Sequence, residues 1–538
     1  MFYQQFCREE FDDQGRLIRF DLEYPENYNF GYDVVDRIAE VTPEKLALLW
    51  IDAEKNERRF TFDQIRRLSN QTVHALRARG VKRGDRVMLM MKRCYAYWFV
   101  VVALHKIGAI AVPVSHMLRL EDVVYRVHKI GISYVISLAD DGIAGILQEV
   151  KEELSGLKEI WTYGPNKYGL RNLEEDIAYM PETLERMPTS VSDIMIVYFT
   201  SGTTDYPKAV AHNHTYSLAH ILTAKYWQRV EENGLHMTVA DTGWGKASWG
   251  KIYGQWLMGA VVIVYDFESF DSRQLVTILN RYKVNTFCAP PTVYRYMVKR
   301  GNIELPWLHH AVSAGEFLSP EISAKFEEQT GLAIAEGFGQ TETTLQIANI
   351  AGYETRRGSM GRPTPLYDIE VVKEDGTPVS PGEPGEIVIR LRENQSGLMM
   401  GYLNEQTVTS KSFSDGVYHT GDLAWVDPDG YFWYNGRKDD VIKSGGFRVG
   451  PVEIENIVIE HPLVLECSVV GVPDALRGQA IKAVIVLLPK AVPSDELKKE
   501  IRQFANARLA VFKHIRHIEF VDELPKTHNG KIRKRVFG

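Results

Sequence analysis

Short apolar runs alternate with amphipathic stretches along this chain, and that alternation restricts its fold more than any other feature of the sequence. Residues 62–79 carry apolar side chains at helical spacing, whereas residues 87–91 form a continuous apolar run that is typical of a buried strand. Residues 97–107 predict a second helix closed by Gly108, and residues 110–114 predict the next strand. Because strand–helix–strand alternation favours parallel sheets covered by helices, the sequence predicts an α/β fold.

The same pattern repeats further along the chain and then changes character. Residues 261–265 and 286–288 predict strands, with a helix predicted over residues 272–282 between them. Further on, the segments 369–372 and 385–390 read as short strands separated by turn residues, which favours antiparallel pairing. We therefore expect an antiparallel region to follow the α/β part of the chain.

The length and charge of the chain limit its organisation and its partners. At 538 residues the chain is too long for one compact core, so several domains or subdomains are expected. Lysine and arginine number 63 and aspartate and glutamate 70, which gives a formal net charge of −7. Because phosphate contacts require clustered cations, this balance argues against a nucleic acid as the main partner.

The cysteines and the hydropathy pattern favour a cytoplasmic protein. The four cysteines, Cys7, Cys94, Cys288 and Cys467, lie far apart and form no Cys-x-x-Cys pair, which disfavours a disulfide framework or a zinc site. Residues 1–13 resemble neither an apolar signal sequence nor an arginine-rich transit peptide. The longest apolar run, near residues 98–104, is too short to span a membrane, so no transmembrane segment is expected.

A polar loop after the apolar run 194–199 is the first indication of a ligand. Its sequence, Thr200-Ser201-Gly202-Thr203-Thr204-Asp205-Tyr206-Pro207-Lys208, offers hydroxyl groups, backbone N–H groups and one cation to a polyphosphate. The loop lacks the Gly-x-x-x-x-Gly-Lys-Ser/Thr spacing of the Walker motif. By itself, a loop rich in serine and threonine is more often an ordinary surface turn, so its interpretation depends on the other motifs.

Five further motifs follow this loop. They are 337–343 (GFGQTET), 418–423 (YHTGDL), 436–443 (GRKDDVIK), 444–449 (SGGFRV) and 525–533 (PKTHNGKIR). Together with the loop, and in this order, they resemble the adenylate-forming enzymes, an acyl-activating, AMP-binding superfamily that includes the acyl-CoA synthetases. The resemblance extends over essentially the whole chain.

The resemblance implies a division into two domains. Residues 1–438 are expected to form a large AMP-binding N-terminal domain of two α/β sheets and a small β-barrel, and residues 439–538 a smaller, mobile α+β C-terminal domain. Asp439 takes the position of the family hinge, where a few residues absorb the rotation between rigid bodies. From the residues alone, Asp439 is equally compatible with a cap of a helix or turn.

The resemblance also implies a reaction in two steps. A carboxylic acid attacks the α-phosphate of ATP to give an acyl-adenylate and pyrophosphate, and the thiol of CoA then displaces AMP to give acyl-CoA. Because negative charge gathers on phosphate in the first transition state, the site must supply cations and N–H donors. ATP, Mg²⁺ and CoA are therefore expected to bind, with a small carboxylic acid as the substrate.

Most of the expected site residues contact ATP, AMP or magnesium. Glu342 is expected to hold Mg²⁺, Asp422 to accept both ribose hydroxyls, and Lys531 to reach the acyl carboxylate and the α-phosphate. Glu342, Arg448 and Lys531 are the expected catalytic residues. Asp205 stands where the family usually has glycine, and its charge would weaken ATP binding unless it faces solvent or a metal ion. The residues assigned to ATP or AMP binding are Thr200, Ser201, Gly202, Thr203, Thr204, Lys208, Gly315, Glu336, Gly337, Phe338, Gly339, Gln340, Thr341, Asp422, Arg437, Arg448 and Lys531.

A further set of residues is implied for CoA and the acyl group. Ser444, Gly445 and Gly446 are small and are expected to line a tunnel for the pantetheine arm of CoA. Arg477 is expected to contact the nucleotide phosphates of CoA, and His116 is also expected near CoA. The residues expected to line the acyl pocket are Trp244, Gly315 and Gly339.

The segment 242–256 indicates the class of acid. It is rich in aromatic residues and glycine, and although aromatic clusters usually belong to a core, this one resembles the medium-chain acyl-CoA synthetases. Segments 288–292 and 449–455 support the same resemblance. A medium-chain or branched fatty acid is therefore predicted, with broad chain-length selectivity because one methylene changes binding by only about 1–3 kcal/mol.

Several alternatives stay open at this point. An aryl-CoA ligase of benzoate type would share every ATP motif and differ only in the acyl pocket. An enzyme that loads a carrier-protein thiol would share the tunnel residues. A catalytically silent nucleotide-binding protein is disfavoured because Glu342, Asp422, Arg437 and Lys531 are all present. A homo-oligomer is compatible with the sequence.

Overall fold

The protein is represented by a computed structural model that describes residues 1–200, 206–316, 318–393, 395–445, 447–489, 491–526 and 532–537. Within these ranges the side chains of Arg448 and Arg535 are not described. None of the helices in the described ranges combines the length and the apolar character that crossing a bilayer requires.

An eight-stranded mixed sheet forms the first α/β layer. Its six strands from Ile194–Thr200 to Arg171–Asn172 run parallel, and the two at the other edge are antiparallel. This sheet contains the strands that were predicted near residues 87–91 and 110–114. In spatial order the strands are Gly401–Tyr402, Lys208–Asn213, Ile194–Thr200, Ile110–Pro113, Arg86–Met90, Tyr134–Leu138, Glu159–Tyr163 and Arg171–Asn172.

A nine-stranded sheet forms the second α/β layer. The strands from Ile334–Phe338 to Leu46–Ile51 are parallel, and short antiparallel strands flank them. The strands predicted at 261–265 and 286–288 lie on either side of Leu235–Thr238. In spatial order the strands are Arg362–Pro363, Ile347–Ala348, Ile334–Phe338, His310–Ser313, Thr286–Ala289, Leu235–Thr238, Val261–Tyr265, Leu46–Ile51 and Glu57–Thr61.

The remaining sheets are mainly antiparallel. The region predicted as a small β-barrel forms a five-stranded antiparallel sheet of Asp368–Val372, Gly385–Arg390, Val417–Val426, Phe413–Ser414 and Phe432–Arg437. The last of these strands leads into the short 3₁₀ turn Lys438–Asp440. A second five-stranded sheet follows, composed of Phe447–Val449, Ile442–Ser444, Gly478–Leu487, Val464–Asp474 and His517–Phe520. Cys7–Phe11 and Leu17–Leu22 pair near the N-terminus.

Local sequence signals explain where the long helices begin and end. Thr61 caps Phe62–Ala78 by accepting a hydrogen bond from the Gln64 N–H, and the Gln64 side chain accepts one from the Thr61 N–H. Ala96–Ile107 ends at Gly108, which adopts a left-handed φ of 76°. The α-helices are Arg37–Val41, Phe62–Ala78, Ala96–Ile107, Leu120–Ile130, Asp141–Glu153, Leu173–Ile177, Thr215–Leu222, Gly245–Gly250, Tyr253–Leu257, Ser272–Arg281, Pro291–Arg300, Pro320–Thr330, Gln406–Ser412, Pro451–Ile459 and Asp495–Asn506.

The two α/β sheets share one large apolar core. Leu48 of the nine-stranded sheet and Val87 of the eight-stranded sheet belong to the same buried cluster. All twelve residues of the helix Ala96–Ile107 are buried, which is typical of a helix surrounded by other elements. The predicted pair of α/β sheets is therefore confirmed, and the carboxyl ends of their parallel strands are the expected place for a ligand site.

Candidate active site

A cavity of about 1140 Å³ brings most of the predicted nucleotide residues together. Its lining comes from the two α/β sheets, the five-stranded sheet of residues 368–437 and the C-terminal part of the chain. Thirteen predicted residues line it, namely Thr200, Lys208, Gly315, Glu336, Gly337, Phe338, Gly339, Gln340, Thr341, Glu342, Asp422, Arg437 and Asp439.

Asp422 is a carboxylate of this cavity that three neighbouring side chains hold in place. Strand pairing places Asp422 directly opposite Arg437, whose Nη1 donates to Asp422 Oδ2 at 3.0 Å. The hydroxyl of Tyr434 donates to Asp422 Oδ1 at 3.0 Å, and Gln340 Nε2 donates to Oδ2. Although burial by itself would lower the pKa of Arg437, the Asp422 carboxylate raises it above its ordinary value. This pair is thus a fixed cation and anion at the cavity wall.

Gln340 connects the 337–343 motif to the 418–423 motif. Its Nε2 donates to the carbonyl of Thr420 at 2.8 Å, and its Oε1 accepts from the hydroxyl of Tyr418 at 2.8 Å. Its backbone N–H donates to Thr343 Oγ1 at 3.1 Å. Two motifs that are some 80 residues apart in sequence are therefore held in one hydrogen-bond network.

Glu342 is oriented by a tyrosine that also lines the cavity. The hydroxyl of Tyr402 donates to Glu342 Oε1 at 2.8 Å, and Lys208 Nζ lies 5.0 Å from the centre of the Tyr402 ring. Burial and the Glu342 carboxylate together raise the pKa of Tyr402, so its hydroxyl stays protonated as a donor. A carboxylate and a lysine thus contact the same tyrosine, and together they form a donor set that suits Mg²⁺ and phosphate.

Glu336 is an acid in a buried part of the cavity lining, with 8% of its surface exposed. Burial raises the pKa of its carboxyl to about 8, against the opposing effect of hydrogen bonds from the backbone of Gly358 and Leu318. The side chain is therefore largely protonated at neutral pH and can donate a hydrogen bond.

The glycines of the 337–343 motif are explained by packing against tryptophans. A Cβ on Gly337 would lie 2.6 Å from the Trp227 ring, and a Cβ on Gly339 would lie 2.5 Å from the Trp249 ring. Both distances are shorter than van der Waals contact, so a side chain has no room there. By contrast, Gly315 faces open space and has a left-handed φ of 96°, which favours glycine.

The C-terminal part of the chain closes one side of the cavity. Glu466 lies 3.9 Å from Arg295 Nη1, and Lys299 Nζ donates to the carbonyl of Val464 at 3.2 Å. Lys526 donates to Glu466 at 2.8 Å and lines the cavity, as does Ile532. The residues on both sides of segment 527–531 thus face the predicted nucleotide site.

Several predicted residues lie outside the described part of the chain. They are Ser201, Gly202, Thr203 and Thr204 of the phosphate loop, together with Asp205, Gly446 and Lys531, and the side chain of Arg448. Their roles stay predictions.

The predicted CoA and acyl residues form separate groups. Ser444, Gly445 and Arg477 come together on the C-terminal sheet, where the Gly445 N–H donates to the carbonyl of Arg477 at 2.9 Å. His116 lies elsewhere, beside the buried Asp241. Trp244, Ser444, Gly445, Arg477 and His116, all within the described ranges, are not among the residues that line the cavity. Gly245, the neighbour of Trp244, lies against Thr341 of the lining.

Three tyrosines of the network were not predicted as site residues. Tyr418 lies inside a recognised motif and could have been inferred from it. Tyr402 comes from a strand whose partner is distant in sequence, since it pairs with Val210, whereas Tyr434 pairs with the nearby Ala424. No local sequence signal marks Tyr402, because only the pairing places its ring over Lys208.

Family comparisons agree with this geometry. Residues 35–403 match the model described as "AMP-binding enzyme", and residues 453–531 match "AMP-binding enzyme C-terminal domain". Acyl-coenzyme A synthetase ACSM3, mitochondrial, of Rattus norvegicus is 35% identical over 528 residues, covering 96% of this chain and 91% of that protein. Acyl-coenzyme A synthetase ACSM4, mitochondrial, of Homo sapiens is 34% identical, with the same coverage of both chains.

Solved structures show the same architecture. The anthranilate CoA ligase AuaEII in complex with anthranoyl-AMP superposes with a TM-score of 0.86 at 30% identity, covering 95% of this chain and 97% of that one. A benzoate CoA ligase from Burkholderia xenovorans LB400 gives a TM-score of 0.84 at 27% identity, covering 95% and 99%.

Proposed function

This chain belongs to the AMP-binding enzyme family, and from that membership we propose that it is an ATP-dependent, AMP-forming acyl-CoA synthetase. A carboxylic acid and ATP give an acyl-adenylate and pyrophosphate, and CoA then gives acyl-CoA and AMP. The observation that carries the proposal is the presence of Asp422 and Glu342 in one cavity, each held by a tyrosine hydroxyl.

The residues of the cavity have distinct proposed roles in adenylation. The anchored Asp422 accepts the ribose hydroxyls, while Lys208 and the Thr200 hydroxyl contact the phosphates. Glu342 supplies the carboxylate for Mg²⁺, which when bound neutralises phosphate charge. Glu336, Gly337, Phe338 and Gly315 line the region for the base and the acyl group. Arg448 and Lys531 are proposed to act on the reacting phosphate and carboxylate.

The second half-reaction is proposed to use the C-terminal sheet. Ser444 and Gly445 lie beside Arg477, so a pantetheine arm and the phosphates of CoA could contact one surface. Rotation at Asp439, in the turn Lys438–Asp440, is the proposed way of bringing that surface to the acyl-adenylate. On this proposal residues 1–438 and 439–538 are the two moving bodies.

The class of acid is proposed from the sequence segment 242–256, which favours a medium-chain or branched aliphatic acid. Similarity to the anthranilate and benzoate CoA ligases supports an aryl acid as the second candidate. A carrier-protein thiol as acceptor, a homo-oligomer and a cytoplasmic location stay predictions. The names of the mammalian relatives place those proteins in mitochondria.

The test is AMP formation with ATP and Mg²⁺ against a panel of short, branched and medium-chain aliphatic acids, benzoate and phenylacetate. Each acid is assayed with CoA and without it. We expect CoA-dependent turnover with the aliphatic acids. Preference for benzoate would instead support the aryl ligase, and pyrophosphate release without turnover on CoA would support a protein-bound thiol acceptor.

A further inference from the structure

The loop after the strand Ile110–Pro113 places a histidine against a buried aspartate. His116 Nδ1 lies 3.1 Å from Asp241 Oδ2, and Asp241 is only 5% exposed whereas the His116 side chain is 23% exposed. A Cβ on Gly243 would collide with the backbone of Val114 and Ser115, so the two loops are in close contact. The carboxylate is thus sequestered while the imidazole is accessible.

Asp241 has the arrangement of a group that orients a histidine. Its Oδ1 accepts the Gly243 N–H at 2.9 Å, which leaves Oδ2 facing His116 and Arg93 Nη1, 3.6 Å away. Burial opposes its ionisation, but the contacts with His116 and Gly243 outweigh burial and lower the pKa of Asp241. An ionised carboxylate at Nδ1 favours the tautomer that leaves Nε2 as a proton acceptor.

The charged groups around this pair come from the ends of two strands and one helix. Arg93 faces Asp241 and also Asp266, whose Oδ1 is 3.5 Å from Arg93 Nε. Lys92 pairs with Asp266 at 3.8 Å and with Glu268, and the buried Lys251 lies near Arg93 and Asp241. The cluster thus holds as many cationic side chains as carboxylates. His116, whose side chain is 23% exposed, is its accessible imidazole.

Two observations indicate that a polar ligand reaches this cluster. The helix Leu120–Ile130 starts just after His116, and its residues Asp122 and Arg126 line the nucleotide cavity. In addition, Trp244 Nε1 is buried and has no hydrogen-bond partner among the described residues. Buried donors of this kind normally have a polar partner.

We propose that His116, oriented by Asp241, is the base that accepts the proton of the CoA thiol in the second half-reaction. This rests on the proposed acyl-CoA synthetase function. An aliphatic thiol has a pKa of about 8.5, so only a few per cent is thiolate at pH 7, and the thiolate is the nucleophile. A base at the thiol therefore accelerates thioester formation at neutral pH.

The proposed substrates supply every atom and electron pair of this step. The S–H proton passes to His116 Nε2, and the sulfur forms a bond to the carbonyl carbon of the acyl-adenylate. The bond between that carbon and the phosphate oxygen breaks, and AMP leaves with the electron pair. The imidazolium then releases its proton to solvent, while Asp241 stabilises it through Nδ1.

The test separates the two half-reactions in the full-length protein. Pyrophosphate release without CoA measures adenylation, and single-turnover reaction of a preformed acyl-adenylate with CoA measures thioester formation from pH 6 to pH 9.5. In His116→Gln we expect adenylation to be unchanged and thioester formation to fall about 30-fold at pH 7, which is the inverse of the thiolate fraction. Near pH 9.5, where the thiol ionises unaided, the difference should nearly vanish.

Three further variants complete the test. His309→Gln removes an exposed histidine at the opposite, amino end of a parallel strand and should not change either half-reaction. Asp241→Asn should give a smaller loss with the same pH dependence, and His116→Asn replaces Gln if that variant is unstable. A rate deficit in His116→Gln that is equal at pH 7 and pH 9.5 would overturn the proposal. Absence of any thioester product in the unmodified protein would overturn the proposed function as well.

Discussion

Glu336 is buried in the lining of the nucleotide cavity, and its burial makes the stability of the protein depend on pH. Burial raises the pKa of its carboxyl to about 8 from an ordinary value of 4.5. Between these pH values the folded protein holds a proton that the unfolded chain has lost. The contribution of Glu336 to stability is therefore complete below pH 4.5 and declines as the pH rises through 8.

We expect Glu336→Gln to stabilise the nucleotide-free protein more at pH 8 than at pH 5, because glutamine keeps the shape and never ionises. The gain in unfolding free energy at pH 8 should exceed the gain at pH 5 by on the order of 3–5 kcal/mol, less any relaxation of the site. Thermal unfolding at the two pH values measures it. An equal change in Tm at pH 5 and pH 8 would show that the carboxyl is not held protonated.

Tyr434 anchors Asp422 through one hydroxyl, so its removal tests the network without changing any charge. In Tyr434→Phe we expect the KM for ATP to rise about five- to tenfold, the equivalent of one hydrogen bond of about 1–1.5 kcal/mol. The measurement is ATP-dependent pyrophosphate release. Tyr431→Phe is the matched control, because the Tyr431 hydroxyl donates to the carbonyl of Glu354 and Tyr431 does not line the described cavity. Similar KM values in both variants would contradict the role given to Asp422.

The strand Ile334–Phe338 and the loop after it show that a motif can be required for packing and for binding at once. Gly337 lies against Trp227 and Leu345, and both contacts are with side chains. We expect Gly337→Ala to lower the unfolding free energy by about 1–3 kcal/mol even without nucleotide, because overpacking forces neighbours apart. Thermal or denaturant unfolding measures this loss.

A double-mutant cycle with Trp227→Phe identifies the cause of that loss. The smaller ring makes space beside residue 337, so Gly337→Ala should cost less in the Trp227→Phe background than in the natural sequence. If Gly337→Ala instead has the unfolding free energy of the natural sequence and only binds ATP more weakly, the glycine is required for ligand binding and not for packing against Trp227.

Elements with a strong local pattern were predictable, and those defined by distant pairing were not. The helix Phe62–Ala78 has its own capping box and apolar face, and Val261–Tyr265 has an uninterrupted apolar run, so both were predicted within a few residues. Gly401–Tyr402 is a two-residue strand that exists because it pairs with Lys208–Asn213. No periodicity can reveal such a strand, and with it the partner of Glu342 was missed.

In the candidate site, too, residues within contiguous motifs were predictable and contacts between distant elements were not. Motif resemblance predicted thirteen of the residues that line the cavity, because each motif is a contiguous string of residue types. It did not predict that the glycines of 337–343 pack on tryptophans, nor that Trp244, the expected wall of the acyl pocket, lies outside the described lining. These contacts depend on how elements that are distant in the sequence pack against each other, and no local sequence pattern reveals that packing.

Six histidines are buried in the large α/β part of the molecule as the structure describes it, and they make its stability depend on acid. Burial lowers the pKa of His212, His214 and His310 to about 4 and that of His236 to about 3. The pKa values of His105 and His220 are also well below the ordinary value, again because of burial. The unfolded chain binds protons at these histidines from pH 6.5 downwards, whereas the folded chain does not. The contribution of these histidines to stability is therefore complete above pH 6.5 and is lost as the pH falls towards 4.

Each of these histidines should add about 1.4 kcal/mol per pH unit to the slope of unfolding free energy against pH between 6 and 4. His236 is the most informative because both ring nitrogens lie 2.8 Å from threonine hydroxyls and His236 is not among the residues that line the described nucleotide cavity. We expect His236→Asn to be less stable at pH 7 but to lose less further stability by pH 5 than the natural sequence, by denaturant unfolding at each pH. His309→Gln, which replaces an exposed histidine, should leave the slope unchanged. The same pH dependence of unfolding in His236→Asn and in the natural sequence would mean that this ring accepts a proton in the fold.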